Sequence, residues 1–309
     1  MLKTIIATPQ PFDFHLTASH QTYFRSAAGA DLYTDGVYWR ALRYGEQVVV
    51  TSVTPASTGH DAGLEVSVHG DDVTPAQLQH AADTMRHMLG LDVDLVGFYR
   101  MLEGDAALGE TAKSLYGMCP PRTESVFEAL IVAIASQQIA GAVARLIRDS
   151  LVSTYGSPVD AMAQRLYAFP TPRALLEAGT DGLRALRLST RKTEYIQDVC
   201  LRTLEGSLSD ARLRELDNDT LTEELLKIRG VGHWTSVMVQ LRALGRPDVF
   251  PAGDVALAKV ISQLYFGGQL LSERQLADFA KERWHPYEGL ATTYLYAHLR
   301  QQRIAAATP

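Results

Sequence analysis

The fold is decided by residues 225–238, which read LLKIRGVGHWTSVM. Thr220 and Glu223 stand at the spacing of a capping box, so they predict a helix that begins there and ends near Arg229. A second helix is predicted from His233 to about residue 244, where a glycine and a proline stop it. The Gly-Val-Gly between these segments therefore predicts a tight hairpin of two helices.

The two glycines of the hairpin, Gly230 and Gly232, allow positive φ angles and a close approach of another backbone. The N–H groups in the first turn of the second helix lack helical partners, so they can hold an anion such as a phosphate group. A glycine turn between two helices is also common where nothing binds. Gly-x-Gly alone thus favours an ordinary helical hairpin, and only the longer string carries a functional interpretation.

A second informative stretch, residues 245–254, follows the hairpin and reads GRPDVFPAGD. Its last residue, Asp254, precedes a predicted helix from Val255 to Leu264. Capping such a helix is the ordinary role of a lone aspartate. A cap position would also orient the carboxylate and help to keep it ionised through the helix dipole. A capping role and a chemical role are therefore compatible.

Together the two stretches resemble the helix-hairpin-helix motif and following loop of the HhH-GPD DNA glycosylase superfamily, in the form found in its 3-methyladenine DNA glycosylase II (AlkA) family. The resemblance implies that Asp254 is the essential catalytic carboxylate, placed in the active-site cleft. Cleavage of an N-glycosidic bond develops oxocarbenium character on the sugar, which a fixed negative charge stabilises. The carboxylate could also orient or deprotonate the attacking water, and the sequence leaves both roles open.

Trp234 indicates the subclass within that superfamily. In members that also nick the DNA backbone, a lysine at this position of the hairpin forms a Schiff base with the sugar. An indole cannot form an imine, so Trp234 predicts hydrolysis without strand cleavage. The expected activity is a DNA-3-methyladenine glycosylase II that removes alkylated purines of the 3-methyladenine and 7-methylguanine type.

Further parts of the chain resemble the same family. Residues 127–139 are similar to the helix and turn from which a side chain wedges into the gap left by a flipped base, which makes Gln138 the first candidate wedge and Ile139 the second. Residues 186–196 and 35–41 are similar to two other family segments. The resemblance therefore covers most of the chain.

The resemblance implies that three residues form the base pocket: Trp234, Tyr296 and Met238. Tyr296 is included because residues 280–296 are similar to the C-terminal helix pair of the family, in which an aromatic side chain stacks on the base. Aromatic faces can hold a cationic alkylated purine by stacking and cation–π attraction. Met238 stands where the family pattern has a tyrosine, so one aromatic wall is replaced by a softer thioether. Trp284, by contrast, is predicted to pack in the core.

Contact to DNA is predicted around the hairpin. Besides the wedge candidates, the residues concerned are Arg229, Gly230, Val231, Gly232, His233, Thr235 and Arg246. For the basic ones, simple solvation is an equally good interpretation. The histidines and the two cysteines show no metal-ligand spacing, so no cofactor and no side-chain metal site are expected. A monovalent ion on the backbone carbonyls near Gly230 and Gly232 is compatible with the family.

The pattern along the 309 residues predicts two domains. Residues 1–112 alternate at period 2 and form an antiparallel α+β domain, with strands around residues 12–16, 37–42, 48–53 and 64–68, and a helix that Thr74 and Pro75 begin. Residues 113–309 form an all-helical body of two subdomains that flank a cleft. Residues 117–121, near the start of this body, look like a linker, and the helical pattern begins after them. The fold class is thus mainly α with an N-terminal antiparallel α+β domain.

The net charge of −6 argues mildly against nucleic acid as a partner, but the charge is uneven. Residues 1–115 hold 7 Lys and Arg against 14 Asp and Glu, so the remainder carries a net charge near +1. We therefore expect the helical body to bind damaged double-stranded DNA. The composition further predicts a cytoplasmic protein, without contact to a membrane, and the family implies a monomer.

Four other functions remain open at this point. A non-catalytic DNA-structure binder would use the hairpin only as a phosphate clamp, and the catalytic spacing of Asp254 counts against it. A bifunctional glycosylase-lyase for oxidised bases is disfavoured by Trp234 and by the lack of cysteines for a cluster. A glycosylase for other lesions is a further alternative. A transcription regulator built on the N-terminal sheet is disfavoured because that half is acidic.

Overall fold

The computed structural model describes residues 1–22, 29–56, 63–161 and 164–307. Its N-terminal unit is a five-stranded antiparallel sheet in the order β1-β5-β4-β3-β2. The strands are β1 (Leu2–Ala7), β2 (Asp31–Thr34), β3 (Val37–Tyr44), β4 (Gln47–Pro55) and β5 (Gly63–His69), and the first two helices are α1 (Phe14–Thr22) and α2 (Pro75–Met88). Three of the four predicted strands are thereby confirmed, as is the capping of α2 by Thr74, whose hydroxyl accepts from the Gln77 amide.

The strand predicted around residues 12–16 is wrong, because the chain there enters α1. Asp13 turns it into a helix start: its carboxylate accepts from the Leu16 amide at 2.7 Å, and its carbonyl accepts from the Thr17 amide. Phe14 is buried against the sheet. The alternating aromatic residues looked like a strand, but a side chain that satisfies the first free amides outweighs that pattern.

Helices make up the remainder of the described chain, apart from one ribbon. They are α3 (Leu95–Met101), α4 (Ala106–Ser114), α5 (Val126–Ser136), α6 (Gly141–Tyr155), α7 (Pro172–Ala185), α8 (Thr190–Leu204), α9 (Asp210–Arg214), α10 (Asn218–Leu226), α11 (His233–Val239), α12 (Val255–Tyr265), α13 (Glu273–Trp284) and α14 (Glu288–Ala307). The predicted fold class is confirmed. The expectation of an all-helical body missed the ribbon of β6 (Ser157–Ala161) and β7 (Gln164–Ala168).

Among the described residues these elements pack around three large hydrophobic cores, and a fourth, smaller one lies between the ribbon and the sheet. The first, around the sheet and α2, takes buried side chains up to Leu91. The second lies under α5, α8 and the hairpin helices. The third packs α12, α13 and α14 against buried side chains from Phe98 to Met118. Buried side chains up to Leu91 therefore pack in the first core, whereas those from Phe98 to Met118 pack in the third. The predicted domain boundary after residue 112 stays a prediction.

The sheet is fastened to the helical body by a buried ionic cluster. Arg40 of β3 has no exposed side-chain surface, and it donates to Glu124 at 2.9 Å and to Glu128 of α5 at 2.8 Å, with Asp31 of β2 at 3.6 Å. Burial lowers the pKa of Arg40, but the three carboxylates outweigh it and the guanidinium stays charged. A buried pair of this kind fixes one relative placement of the two units rather than adding much stability.

The ribbon makes a second junction, since it packs its apolar side chains on the outer face of the sheet. Leu166 is buried there against Ala41 and Val50. None of the helices in the described ranges is both long and apolar enough to span a lipid bilayer.

Candidate active site

The hairpin that the sequence predicts is present between α10 and α11. Its first helix begins earlier than expected: Asp217, not Thr220, is the cap, and its carboxylate accepts from the Thr220 amide at 2.9 Å. The predicted Thr220–Glu223 capping box is therefore wrong, because an acidic side chain one turn upstream already satisfies that amide. The helix ends at Leu226, three residues before the predicted end.

Gly230 makes the hairpin turn with φ of +83°. A Cβ atom at this position would lie 2.1 Å from the ring of Tyr195 on α8, so the turn packs too closely for any side chain. The Gly230 carbonyl accepts from the Gln137 side chain at 2.8 Å, and the same amide group donates to the Thr235 hydroxyl at 3.2 Å. The turn is thus held in place by the loop that follows α5.

The second hairpin helix continues beyond α11 in a wider turn over residues 240–244 and stops at Gly245, whose φ is +68°. This confirms the predicted end of the helix. Gly232 caps α11 without a side chain, and both Gly232 and His233 are exposed. The first turn of α11 accordingly faces solvent with no side-chain cap, as a phosphate-binding turn requires.

Asp254 caps α12 and is the centre of the site. Its Oδ1 accepts from the Leu257 amide at 2.9 Å, while its Oδ2 accepts from Trp234 Nε1 at 2.8 Å and from the Tyr296 hydroxyl at 3.0 Å. No lysine, arginine or histidine in the described part of the chain forms an ion pair with it. The carboxylate is therefore oriented by neutral donors, with no cation within ion-pair distance among the described residues.

Tyr296 shows the effect of this environment. Burial and the charge of Asp254 together raise the pKa of Tyr296 well above its ordinary value of 10.0, so the phenol stays protonated and keeps donating. The Met238 sulfur lies 3.9 Å from the same hydroxyl. The structure thus brings the predicted catalytic aspartate and all three predicted pocket residues together.

A cavity of about 480 Å³ opens beside these four side chains. Its wall also includes Ile139 after α5, Phe169, Glu128 of α5, Arg242 and two residues of α1, His20 and Gln21. A cavity of this size and mixed lining is typical of a small-molecule site. The two α1 residues were not predicted from the sequence, because a helix in the N-terminal unit reaches this wall only in the folded chain.

The wedge candidates lie at the edge of this cavity. Gln138 is exposed and has φ of +53°, a left-handed conformation that is unusual for a residue other than glycine. It stands between Ser136 and Ile139, both of which line the cavity. Lys192 of α8 holds this turn by donating to the carbonyls of Ala135 and Gln137 at 2.9 and 2.7 Å. Lys192 was not predicted from the sequence as a site residue, although it lies within residues 186–196, which are similar to a family segment.

The other predicted DNA contacts lie outside the cavity. Val231 and Thr235 have buried side chains, so any contact they make with DNA is restricted to their backbone. Arg229 is exposed and paired with Glu194 at 3.0 Å. Arg246 donates to the carbonyls of residues 214 and 216 at 2.8 and 2.6 Å, which makes it a brace for that loop. Among the hairpin side chains predicted to bind DNA, His233 and Arg229 face solvent.

The remaining predictions concern Trp284 and metal ions. Trp284 is fully buried in the third core, as predicted. Both cysteines are buried thiols. The described residues contain no group of three His, Cys, Asp or Glu side chains that could hold a metal ion.

Two protein-family models match the chain, one over its helical body and one over its N-terminal part. The model of the HhH-GPD superfamily base excision DNA repair protein matches residues 131–286, and that of the AlkA N-terminal domain matches residues 6–125. A DNA-3-methyladenine glycosylase of Bacillus subtilis (strain 168) is 24% identical over 294 residues, covering 94% of this chain and 95% of that protein.

Solved structures are similar over nearly the whole chain. A 3-methyladenine DNA-glycosylase from Archaeoglobus fulgidus superimposes with a TM-score of 0.84 at 27% identity, covering 97% of this chain and 98% of that one. An 8-oxoguanine glycosylase/lyase from Clostridium acetobutylicum, solved with double-stranded DNA, gives a TM-score of 0.74 at 20% identity, covering 97% and 96%. At that identity the second likeness concerns the fold alone.

Proposed function

Because the chain belongs to the HhH-GPD superfamily of base excision DNA repair proteins, we propose that it is a monofunctional DNA glycosylase for alkylated purines flipped out of duplex DNA. The observation that carries the proposal is the Asp254 carboxylate, which lies on a cavity of about 480 Å³ and has three neutral donors but no cationic partner among the described residues. The names of the similar glycosylases support alkylated purines such as 3-methyladenine as the substrate class.

The chemistry follows from that arrangement. When the bond between base and sugar breaks, positive charge develops on the sugar, and the fixed charge of Asp254 stabilises it in a cavity with little water. The donors Trp234 and Tyr296 hold Oδ2 in place, so no reorganisation is needed as the charge develops. Water then supplies the oxygen that completes the hydrolysis.

Access to the base requires its rotation out of the stack, which costs less for a damaged base than for an intact one. Gln138 is our candidate for the side chain that fills the gap, because it is exposed on a strained turn at the edge of the cavity. The uncapped first turn of α11 binds a phosphate and sets the register on the duplex. A monovalent ion on the hairpin carbonyls would have to share the Gly230 oxygen with Gln137.

Strand cleavage is not part of the proposed activity, because Trp234 occupies the hairpin position of the lyase lysine and is committed to Asp254. Lys192 of α8 is not proposed as a nucleophile either, because both of its described hydrogen bonds go to carbonyls of the turn after α5. We further expect a cytoplasmic monomer that needs no cofactor, which sedimentation of the pure protein and assay in a chelator would test.

The test is base release from methylated duplex DNA, with abasic sites and strand breaks scored separately. We expect free 3-methyladenine with intact strands from the wild type, and a loss of about 100-fold or more in D254N with DNA affinity retained. D248N is the matched control, since Asp248 is an exposed aspartate of the same loop. Tight DNA binding without base release by the wild type would instead make the protein a DNA-structure binder, and a borohydride-trapped adduct would make it a lyase.

A further inference from the structure

The N-terminal unit supplies one wall of the cavity through the end of α1. Two adjacent residues there, His20 and Gln21, line the same cavity as Asp254, Trp234 and Tyr296. Neither has a part in the hydrolysis described above. The hydrogen bonds they make within the protein determine what kind of group each presents to a ligand.

His20 has only one possible arrangement of its ring proton. Its Nδ1 lies 2.8 Å from the Leu16 carbonyl oxygen, which can only accept, so Nδ1 carries the hydrogen. Burial, followed by the nearby charges of Arg300 and Arg242, lowers the pKa of His20 to about 4. The imidazole is therefore neutral at pH 7, and its Nε2 is a bare acceptor.

Gln21 is fixed in the same way. Its Nε2 donates to the Arg122 carbonyl at 2.7 Å, and a flipped amide would set two oxygens against each other. The Gln21 side chain is therefore locked with Oε1 as its remaining acceptor, and the residue is only 4% exposed. Each of the two neighbouring side chains thus donates its N–H to a backbone carbonyl.

Both remaining acceptors, His20 Nε2 and Gln21 Oε1, are buried and have no hydrogen-bond partner within the described residues. Such orphaned acceptors are rare in native proteins, and two in succession on one cavity wall require an explanation. A ligand with N–H groups would satisfy them. A ligand edge that offers only acceptors would leave both atoms unpaired and would be disfavoured at this part of the wall.

We propose that His20 and Gln21 are specificity-determining residues that accept hydrogen bonds from N–H groups of the flipped purine. The inference rests on the proposed function. Adenine lesions offer the exocyclic amino group, and guanine lesions offer the ring N–H and the 2-amino group. Bases without an N–H leave both acceptors unpaired and bind less well for that reason.

The test compares binding of two free bases, 3-methyladenine and 3-methylpurine, which differ by the 6-amino group. Binding is followed by tryptophan fluorescence of the full chain, since Trp234 lines the cavity. We expect the wild type to prefer 3-methyladenine by about tenfold. H20F and Q21L should each reduce that preference, because each substitution removes one acceptor while keeping an apolar side chain of similar size.

H15F is the matched control, because His15 lies on the same helix, is exposed, hydrogen-bonds Tyr33 and does not line the cavity. Melting temperatures of all variants verify folding, and Q21L decides the question if H20F does not fold. Equal binding of the two bases by the wild type, or a preference that survives in both H20F and Q21L, would overturn the proposal. A loss of preference in H15F would do so as well.

A parallel assay separates this inference from the proposed function. Release of 3-methyladenine from methylated DNA should fall about tenfold in H20F and Q21L, with unchanged affinity for undamaged duplex. If the wild type releases no base at all but still prefers the amino-bearing free base, the proposed function fails and the role inferred for His20 and Gln21 stands. If the wild type releases bases and the variants keep full rate and preference, only the role inferred for His20 and Gln21 fails.

Discussion

Asp254 and Asp105 occupy two sites that are built alike and serve opposite purposes. Each aspartate caps a helix and accepts from a tryptophan and a tyrosine. The donors are the Leu257 amide, Trp234 Nε1 and the Tyr296 hydroxyl for Asp254, and the Leu108 amide, Trp284 Nε1 and the Tyr265 hydroxyl for Asp105. The difference is Arg283, whose Nε donates to Asp105 at 2.7 Å. A cation turns the same arrangement into a structural joint.

Space does not separate the two sites, because a groove of about 450 Å³ also lies over Asp105. Its lining includes Asp105, Glu282 and Arg283, so a ligand there would meet a carboxylate that is already paired with a guanidinium. The cavity at Asp254 is of similar size. In the proposed mechanism the difference between the two aspartates is therefore the ion pair: the neighbours of Asp254 orient its carboxylate with neutral donors, whereas Asp105 is paired with Arg283.

The difference between the two aspartates should be lost most completely if a cation is placed beside Asp254. Met238 lies beside Tyr296 in the cavity, so a lysine there should pair with Asp254 and cancel the charge that stabilises the transition state. We expect M238K to lower single-turnover base release by about 100-fold. The neutral variant M238Q fills similar space and should lose no more than a few fold. Equal losses in M238K and M238Q would mean that pocket shape, not charge, is what Met238 controls.

Removal of the cation at Asp105 is the converse change. R283M should lower the free energy of unfolding by about 2 kcal/mol, below the range for fully buried pairs because Arg283 is 38% exposed. R274M on the same helix breaks the exposed ion pair with Asp278, so it should change the free energy of unfolding by less than about 0.5 kcal/mol. Urea denaturation measures both. The base-release rate of R283M should match the wild type, and a lost rate would link the two sites.

The tyrosines sharpen the contrast. Y296F removes one donor from Asp254 Oδ2, so base release should fall about tenfold, which corresponds to about 1.4 kcal/mol of transition-state stabilisation. Y265F removes the equivalent donor from Asp105 and should affect the melting temperature but not the rate. Parallel measurement of rate and melting temperature for the pair is the check. A rate effect in Y265F would contradict the separation of roles.

The smallest effect concerns pH. Burial raises the pKa of Asp105, but the hydrogen bonds from Arg283, Leu108, Tyr265 and Trp284 outweigh it, so the folded pKa lies below its ordinary value of 3.8. This carboxylate therefore stabilises the fold above pH 3.8 and ceases to do so as the pH falls through the folded pKa. D105N should be less stable than the wild type at pH 7, and the gap should narrow at pH 3 by about 1 kcal/mol. A gap that widens in acid would reverse the sign of the linkage.

Local signals explain what the sequence could predict. The hairpin, the strands around residues 37–68 and the helix after Thr74 are marked by glycines, caps and periodic apolar residues. Where two local signals compete, the prediction was wrong: Asp13 begins a helix through aromatic residues that alternate like a strand, and Asp217 takes the cap expected from Thr220. The two strands of the ribbon, residues 157–161 and 164–168, are too short for their patterns to be recognised.

The site shows the same limit. Asp254 and Trp234 lie 20 residues apart in one motif, and the family resemblance extended the pocket to Tyr296. The α1 wall could not be predicted, because His20 meets the cavity through packing across more than 200 residues of chain. The motif singled out Asp254, but the similar arrangement at Asp105 could not be predicted, since Trp284, Tyr265 and Arg283 are brought to it by the fold.

The ionic cluster at the junction of sheet and body has an evolutionary consequence. Arg40 and Asp31 belong to the sheet, whereas Glu124 and Glu128 belong to the body, and Glu128 lines the cavity. A descendant that lost the gene segment for the sheet would keep both glutamates without the guanidinium that pairs with them. Glu128 would then place a charge without its cation on the cavity wall, so a shortened chain would be expected to persist only with a compensating substitution there.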